Sequence, residues 1–242
     1  MHITELPTPQ VLIDRGRLTA NIARMQAAAT QGGMALRPHT KTHKSPRIAR
    51  WQLDAGASGI ACAKIGEAEV FADAGFTDIR LPYPINPSNA QRLLALLERV
   101  HLSIVVDHAA VAAEWSEVMT AAGKRLDALV KVDVGYHRCG IDPGVAFAVP
   151  FLTQVAALPG LRFRGLLSHA GQSYDVTSAD QLTAVAKGEA ELLRTLATEA
   201  RRAGVAVDEI SVGSTATATL SAAEPDITEL RPGNYVYYDR SQ

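Results

Sequence analysis

AQRLLALLERV (residues 90–100) is followed almost at once by LSIVV (102–106). Leu93, Leu94, Leu96 and Leu97 recur at helical spacing. Leu102–Val106 is short, rich in β-branched residues and nearly all apolar, as expected of a parallel strand covered on its outer face. A helix feeding such a strand is the repeating unit of α/β architecture. The unit recurs in both directions along the chain. Strands are expected at Ala35–His39, Gly59–Ala63, Ile79–Pro82, Leu102–Val106, Ala128–Val134, Arg164–Ser168, Glu209–Val212 and Thr228–Leu230, with a further β-prone run at Gln10–Asp14 outside that series. Between them, Arg17–Ala29 places Leu18, Ile22 and Met25 on one helical face, and Ser178–Ala203 is long and rich in Ala, Leu and Glu. Gly32-Gly33, Gly75, Gly123 and Gly204 fall where helices should stop. Eight βα units predict an α/β fold of the (β/α)8 TIM-barrel type. No Gly-x-Gly-x-x-Gly follows any strand, which counts against a doubly wound open sheet.

The bulk properties agree. At 242 residues the chain has the length of one such barrel, so residues 1–242 are expected to form a single domain. Hydrophobic residues make up 47% and charged residues 20%, a globular balance, and the net charge of -1 argues against nucleic acid or an anionic membrane as partner. No apolar run approaches the roughly 20 residues of a membrane span, and MHITELPTPQ has neither the basic nor the apolar region of a signal peptide. Two distant cysteines, Cys62 and Cys139, fit a reducing cytoplasm better than a disulfide framework.

Barrels of this kind place chemistry on the loops after their strands. Unusual polar residues cluster there: Arg37-Pro-His-Thr-Lys-Thr-His-Lys44, Asp133-Val-Gly-Tyr-His-Arg-Cys-Gly140, Ser168-His-Ala-Gly-Gln-Ser-Tyr174, Gly213-Ser-Thr215 and Arg231-Pro-Gly-Asn234. Each has an ordinary structural explanation. A lone Lys is usually solvated, Asp133 could cap a helix, Arg138 could be a surface ion pair, His169 a satisfied core histidine, and Gly213-Ser-Thr a turn with an N-cap. Their convergence on one rim favours a site. A carbonyl cofactor needs an amine of lowered pKa, and Lys41 lies among Arg37, His39, His43 and Lys44. Strand alternation puts Arg37, His39 and Lys41 on one face if the strand stays regular. Lys44 is the rival amine. Gly213, Ser214 and Thr215 before a short helix, with Gly233 and Asn234, supply donors for a phosphate. Arg231 and His169 are then placed to tune a heteroaromatic ring.

These motifs, with Leu6-Pro-Thr-Pro-Gln-Val-Leu-Ile-Asp14 and the Tyr-Val-Tyr-Tyr-Asp239 end, resemble the D-threonine aldolase and D-serine dehydratase family, whose barrel is alanine racemase-like, the fold type III of pyridoxal phosphate (PLP) enzymes. The resemblance runs from about Leu6 to the last residue. It implies PLP as cofactor, with Lys41 as the Schiff-base lysine, Arg138 near the phenolic oxygen and His169 beside the ring. It places Tyr174 and Thr215 on the cofactor, Gly233 and Asn234 on its phosphate, and Arg231 at the pyridine nitrogen, which it would keep unprotonated. Lys41, His169 and Arg138 are the implied catalytic residues. Where some members carry a tyrosine seven residues before Tyr174, this chain has Leu167.

The resemblance also implies a C-terminal β domain carrying a divalent metal on a His-x-Cys pair. The chain stops at Ser241-Gln242 with no such pair in a matching position (His137-Arg-Cys139 belongs to the barrel motif), so that domain is expected to be absent and no metal ligand is assigned. The implied substrate is a D-3-hydroxy amino acid, cleaved by an aldolase of the D-threonine type to glycine and an aldehyde. A D-serine dehydratase, a non-catalytic PLP carrier and a cofactor-free lysine aldolase of sugar phosphates are the alternatives. A homodimer is left open.

Overall fold

Every expected strand of the series forms, and every neighbouring pair is parallel. The computed structural model describes residues 2–238; Asp239 of the Tyr-Tyr-Asp motif and the Ser241-Gln242 end lie outside them. The strands are β1 (Ala35–Leu36), β2 (Ile60–Ala61), β3 (Asp78–Leu81), β4 (His101–Val106), β5 (Leu126–Lys131), β6 (Leu161–Leu167), β7 (Glu209–Val212) and β8 (Glu229–Leu230). They form one curled sheet in the order β1-β8-β7-β6-β5-β4-β3-β2. Its two end strands meet: Ser58 N donates to Leu36 O (2.9 Å), Ala61 N donates to Pro38 O (2.8 Å), and His39 bridges Ala61 in parallel.

Among the described residues eight α-helices alternate with the strands: α1 (Arg15–Gln31), α2 (Pro46–Asp54), α3 (Ile65–Asp73), α4 (Ala90–Leu97), α5 (Ala109–Ala121), α6 (Val145–Ala156), α7 (Ala179–Arg202) and the short α8 (Ala218–Ser221). The Asp14 side chain caps α1 by accepting from Arg17 N, and Leu18, Ile22, Met25 and Ala29 form its buried stripe. Gly33, Gly75, Gly123 and Gly204 sit after helices at positive φ, where a Cβ is disfavoured. The Gln10–Asp14 run pairs with no strand among the described residues and leaves Val11, Leu12 and Ile13 exposed. No helix among the described residues is long and apolar enough to cross a membrane.

Strand periodicity sorts the side chains into two environments. Outward residues such as Leu36, Ile60, Ile79, Leu102, Ile104, Ala128, Val130, Leu166 and Ile210 pack under the helices in the main core. Inward residues divide. Val105, Leu129 and Leu167 form a separate apolar cluster, each at most 1% exposed. Opposite them lies a buried ionic layer in which Glu229 on β8 accepts from Arg37 Nε (2.7 Å) and from Arg80 Nη1 (2.6 Å). β3 and β8 are not neighbours in the sheet, so the Arg80–Glu229 contact crosses the interior. A bulge keeps β6 in phase: the register shifts between Ala128 and Leu129, and Gly165 takes φ +149 where a Cβ would overlap the Glu209 backbone.

Candidate active site

Continuing the inward period two residues beyond that layer carries six strands to one rim. Arg37 leads to His39, Arg80 to Pro82, Leu129 to Lys131, Leu167 to His169, Ser211 to Gly213 and Glu229 to Arg231. The second residue of each pair lines a single cleft of roughly 770 Å³, counted to its open mouth. The eleven residues assigned from the sequence to catalysis or to the cofactor all line that cleft: His39, Lys41, Arg138, His169, Tyr174, Gly213, Ser214, Thr215, Arg231, Gly233 and Asn234. Among the described residues no Asp or Glu lines it.

Lys41 reaches the cleft by a different route from the one strand alternation implies. β1 ends at Leu36, and Lys41 sits in a 3-10 turn over Thr40–Thr42. His39 Nδ1 accepts from Lys41 N (3.3 Å), and the fully buried Thr40 donates its hydroxyl to Ala61 O (3.1 Å), pinning the turn to β2. Arg37 does not join His39 and Lys41 in the cleft, because its guanidinium turns into the ionic layer toward Glu229 and Asp78. The rival Lys44 is directed away. It adopts φ 48 and ion-pairs with Glu67 at 2.6 Å, and Glu67 also accepts from Ala63 N (2.7 Å). His43 likewise lies outside the cleft, bonded to Gln52 and to Ser45 N.

The cleft depresses the pKa of every amine and imidazole it holds. Burial, with Arg138 and Arg231 nearby, lowers Lys41 below the ordinary 10.5. Burial, followed by the proximity of Arg231, brings Lys131 down to about 7. Burial brings His169 to about 3 despite its bond to the Gly213 carbonyl, and also holds His39 well below 6.5. A carbonyl only accepts, so the His169 Nδ1 carries the proton and Nε2 is left as a lone pair. Arg231 is brought to about 10 by burial, with Glu229 opposing.

One wall is a polar cradle. Gly213 lies against the Arg231 guanidinium, where a Cβ would come within 3.0 Å of Nη2; a Cβ on Gly233 would come within 3.1 Å of His39 O and of Thr42 Oγ1. Ser214 shares a hydroxyl bond with Ser173 (2.8 Å), whereas the buried Thr215 hydroxyl has no partner among the described residues. The expected helix does not begin directly after Gly213-Ser-Thr. A turn intervenes and α8 starts only at Ala218, so a helix N-terminus is not the source of donors here.

The other wall is aromatic. Arg138 lies between the rings of Tyr83 (5.3 Å) and Tyr136 (5.1 Å), and Tyr136 meets His169 edge-on. Asp133 caps no helix. It staples this loop by accepting from Gly135 N and His137 N (3.0 Å each) and from His137 Nδ1 (2.9 Å). Leu167 lies below the cleft in the apolar interior cluster, so it makes no wall contact.

Five lining residues were not singled out in the sequence: Thr42, Ala63, Pro82, Tyr83 and Lys131. Lys131 was detectable, because it stands two residues after the inward Leu129 in a strand whose six residues are all buried. Tyr83 follows β3 within its proline loop and carries no comparable periodic signal.

A parallel ring of eight strands with helices on its outer face and an amine-bearing cleft at the strand ends defines the class as an α/β barrel. Residues 13–241 match the alanine racemase N-terminal domain, and the chain belongs to that family. It is 36% identical to a D-threonine aldolase from Arthrobacter sp over 98% of this chain and 62% of the relative. It is also 36% identical to a D-threo-3-hydroxyaspartate dehydratase from Delftia sp., over 97% of this chain and 62% of that protein. The solved structure of the Delftia enzyme superposes with a TM-score of 0.93 at 35% identity, covering 98% of this chain and 63% of that one. The chain thus spans about 62% of the length of these curated relatives.

Proposed function

We propose that the cleft holds pyridoxal phosphate attached to Lys41, and that the protein is a PLP-dependent lyase of fold type III acting on D-3-hydroxy amino acids, of the D-threonine aldolase type. One observation carries the proposal: an amine of lowered pKa, Lys41, shares a cleft with a glycine-floored hydroxyl cradle, and among the described residues no carboxylate lines that cleft. The cradle fits a phosphate. The Thr215 hydroxyl is buried and finds no partner among the described residues, and Gly213 and Gly233 leave room that a Cβ would take up. The relatives named as D-threonine aldolase and D-threo-3-hydroxyaspartate dehydratase support the substrate class.

When bound, PLP supplies a carbonyl carbon for the amine and a ring that accepts electron density. The chain's own residues supply the rest. Lys41, its pKa lowered by burial and by Arg138 and Arg231, presents a free amine pair more readily than a solvated lysine does. When free, the same amine would hold or return a proton. Lys131, near 7, is a second proton store on the same rim. Arg231 has only donors, so it could take no proton from a ring nitrogen held beside it and would leave that nitrogen unprotonated. Neutral His169, oriented by the Gly213 carbonyl, packs against Tyr136 and Tyr174 and sets the breadth of the cleft.

Among the described residues no group of three or more His, Cys, Asp or Glu side chains is placed to hold a metal, and no metal role is assigned to any of them. The equal similarity to a dehydratase keeps ammonia-lyase chemistry as the second reading. Assays on D-threonine, D-serine and D-threo-3-hydroxyaspartate, with and without divalent metal, separate the two. Glycine plus an aldehyde marks the aldolase, and ammonia plus a keto acid marks the dehydratase. The absence of any protein-bound visible absorbance after incubation with PLP and removal of the unbound cofactor would remove both.

A further inference from the structure

Arg231 is only 5% exposed, and among the described residues its guanidinium makes no direct ion pair. It donates through Nη1 to Ser211 Oγ and through Nη2 to Ser168 O (2.5 Å). Both acceptors are neutral, and each serine is backed by a buried glutamate. Ser211 Oγ donates to Glu229 Oε1 (2.5 Å), and Ser168 Oγ donates to Glu189 Oε1 (2.5 Å). Glu229 already accepts from Arg80 (2.6 Å) as well as Ser211 through Oε1 and from Arg37 (2.7 Å) through Oε2, and among the described residues no hydrogen bond joins it to Arg231.

This arrangement fixes the direction of the Ser211 hydroxyl. A hydroxyl has one proton, and that of Ser211 is committed to the Glu229 carboxylate. Its oxygen therefore turns only lone pairs toward Arg231. A direct Arg231–Glu229 pair would draw the guanidinium down into the ionic layer. With a serine between them, the guanidinium stands one hydroxyl higher, at the level of the cleft that it lines.

We propose that Ser211 is a positioning residue: held by Glu229, it fixes the Arg231 guanidinium at cleft level, where Arg231 sets the protonation of the cofactor's ring nitrogen. The inference rests on the PLP reading above. It goes beyond it by assigning the control of that nitrogen to a serine on β7 that does not line the cleft.

The test is the 15N resonance of the ring nitrogen in protein loaded with ring-15N PLP, together with PLP affinity, for the wild type and for Ser211→Ala, Ser211→Thr and Ser168→Ala. Wild type is expected to show an unprotonated ring nitrogen. Ser211→Ala should move the resonance toward the protonated value and weaken PLP binding about tenfold, the scale of one charge-assisted hydrogen bond. Ser211→Thr keeps the hydroxyl and should retain the wild-type resonance, which preserves the comparison if the alanine variant folds poorly. Ser168→Ala is equally buried but keeps the carbonyl that Arg231 uses, so it too should match wild type. A wild-type resonance in Ser211→Ala overturns the inference, and so does an equal shift in Ser168→Ala, which would mean general loosening. If wild type takes up no PLP at all, the cofactor reading falls and the inference falls with it.

Discussion

Lys131 should weaken the fold it belongs to. Its residue is 3% exposed, and burial with Arg231 and Arg138 nearby brings its amine from 10.5 to about 7. The unfolded chain binds that proton up to about 10.5, so the buried amine costs stability in full below pH 7. The cost then shrinks as pH rises and vanishes above 10.5. The gap between 10.5 and about 7, at about 1.36 kcal/mol per pH unit, amounts to ~5 kcal/mol. Water entering the cleft reduces this to on the order of 2–3 kcal/mol. Lys131→Met keeps the buried stem and removes the charge. In urea unfolding of the cofactor-free chain, the variant should be the more stable by that amount at pH 6.5, with the difference nearly gone at pH 10. Its turnover should fall about a hundredfold, the scale of a lost proton-transfer group. A variant less stable than wild type at pH 6.5, or a difference that does not change with pH, would refute the reasoning.

Other consequences follow from single contacts. Gly140 has φ +118 and a Cβ there would approach Asp133 N to 2.6 Å, so Gly140→Ala should displace the Arg138 loop and weaken PLP binding at least tenfold, measured by absorbance titration. Glu229→Gln leaves Arg37 and Arg80 buried beside a neutral amide and should cost about 3–5 kcal/mol in chemical denaturation. His169 near 3 and His43 near 4 are neutral in the fold but take up protons when unfolded. Stability should therefore drop as pH falls from 6.5 toward 4, and His43→Gln should flatten that slope in melting curves. Lys44→Ala, which loses only the Glu67 pair outside the cleft, should leave the visible absorbance of bound PLP unchanged.

What the sequence made legible is what local pattern encodes. Apolar runs such as Leu102–Val106 announced strands, glycines after helices marked their ends, and polar clusters after strands met on one rim because a parallel ring brings all its strand ends together. Interactions across the interior were not legible. Arg80 and Glu229 lie 149 residues apart, and nothing near either one shows that they meet. Lys131 passed unmarked because a lysine ending an apolar run looks solvated; only its place two residues after Leu129 turns it inward. The turn that carries Lys41 replaced a longer β1 because the buried Thr40 hydroxyl binds the chain to β2 instead. Gln10–Asp14 has strand-like composition but no partner strand among the described residues, and composition alone does not supply one.

The central claim is that Lys41, and no other amine of the cleft, carries the cofactor. Borohydride reduction of the PLP-loaded protein followed by mass mapping of its peptides tests this most directly. The account predicts a single pyridoxyl group on the peptide containing Lys41 and none in Lys41→Ala. Label on Lys131 or Lys44, or label that persists without Lys41, would contradict it.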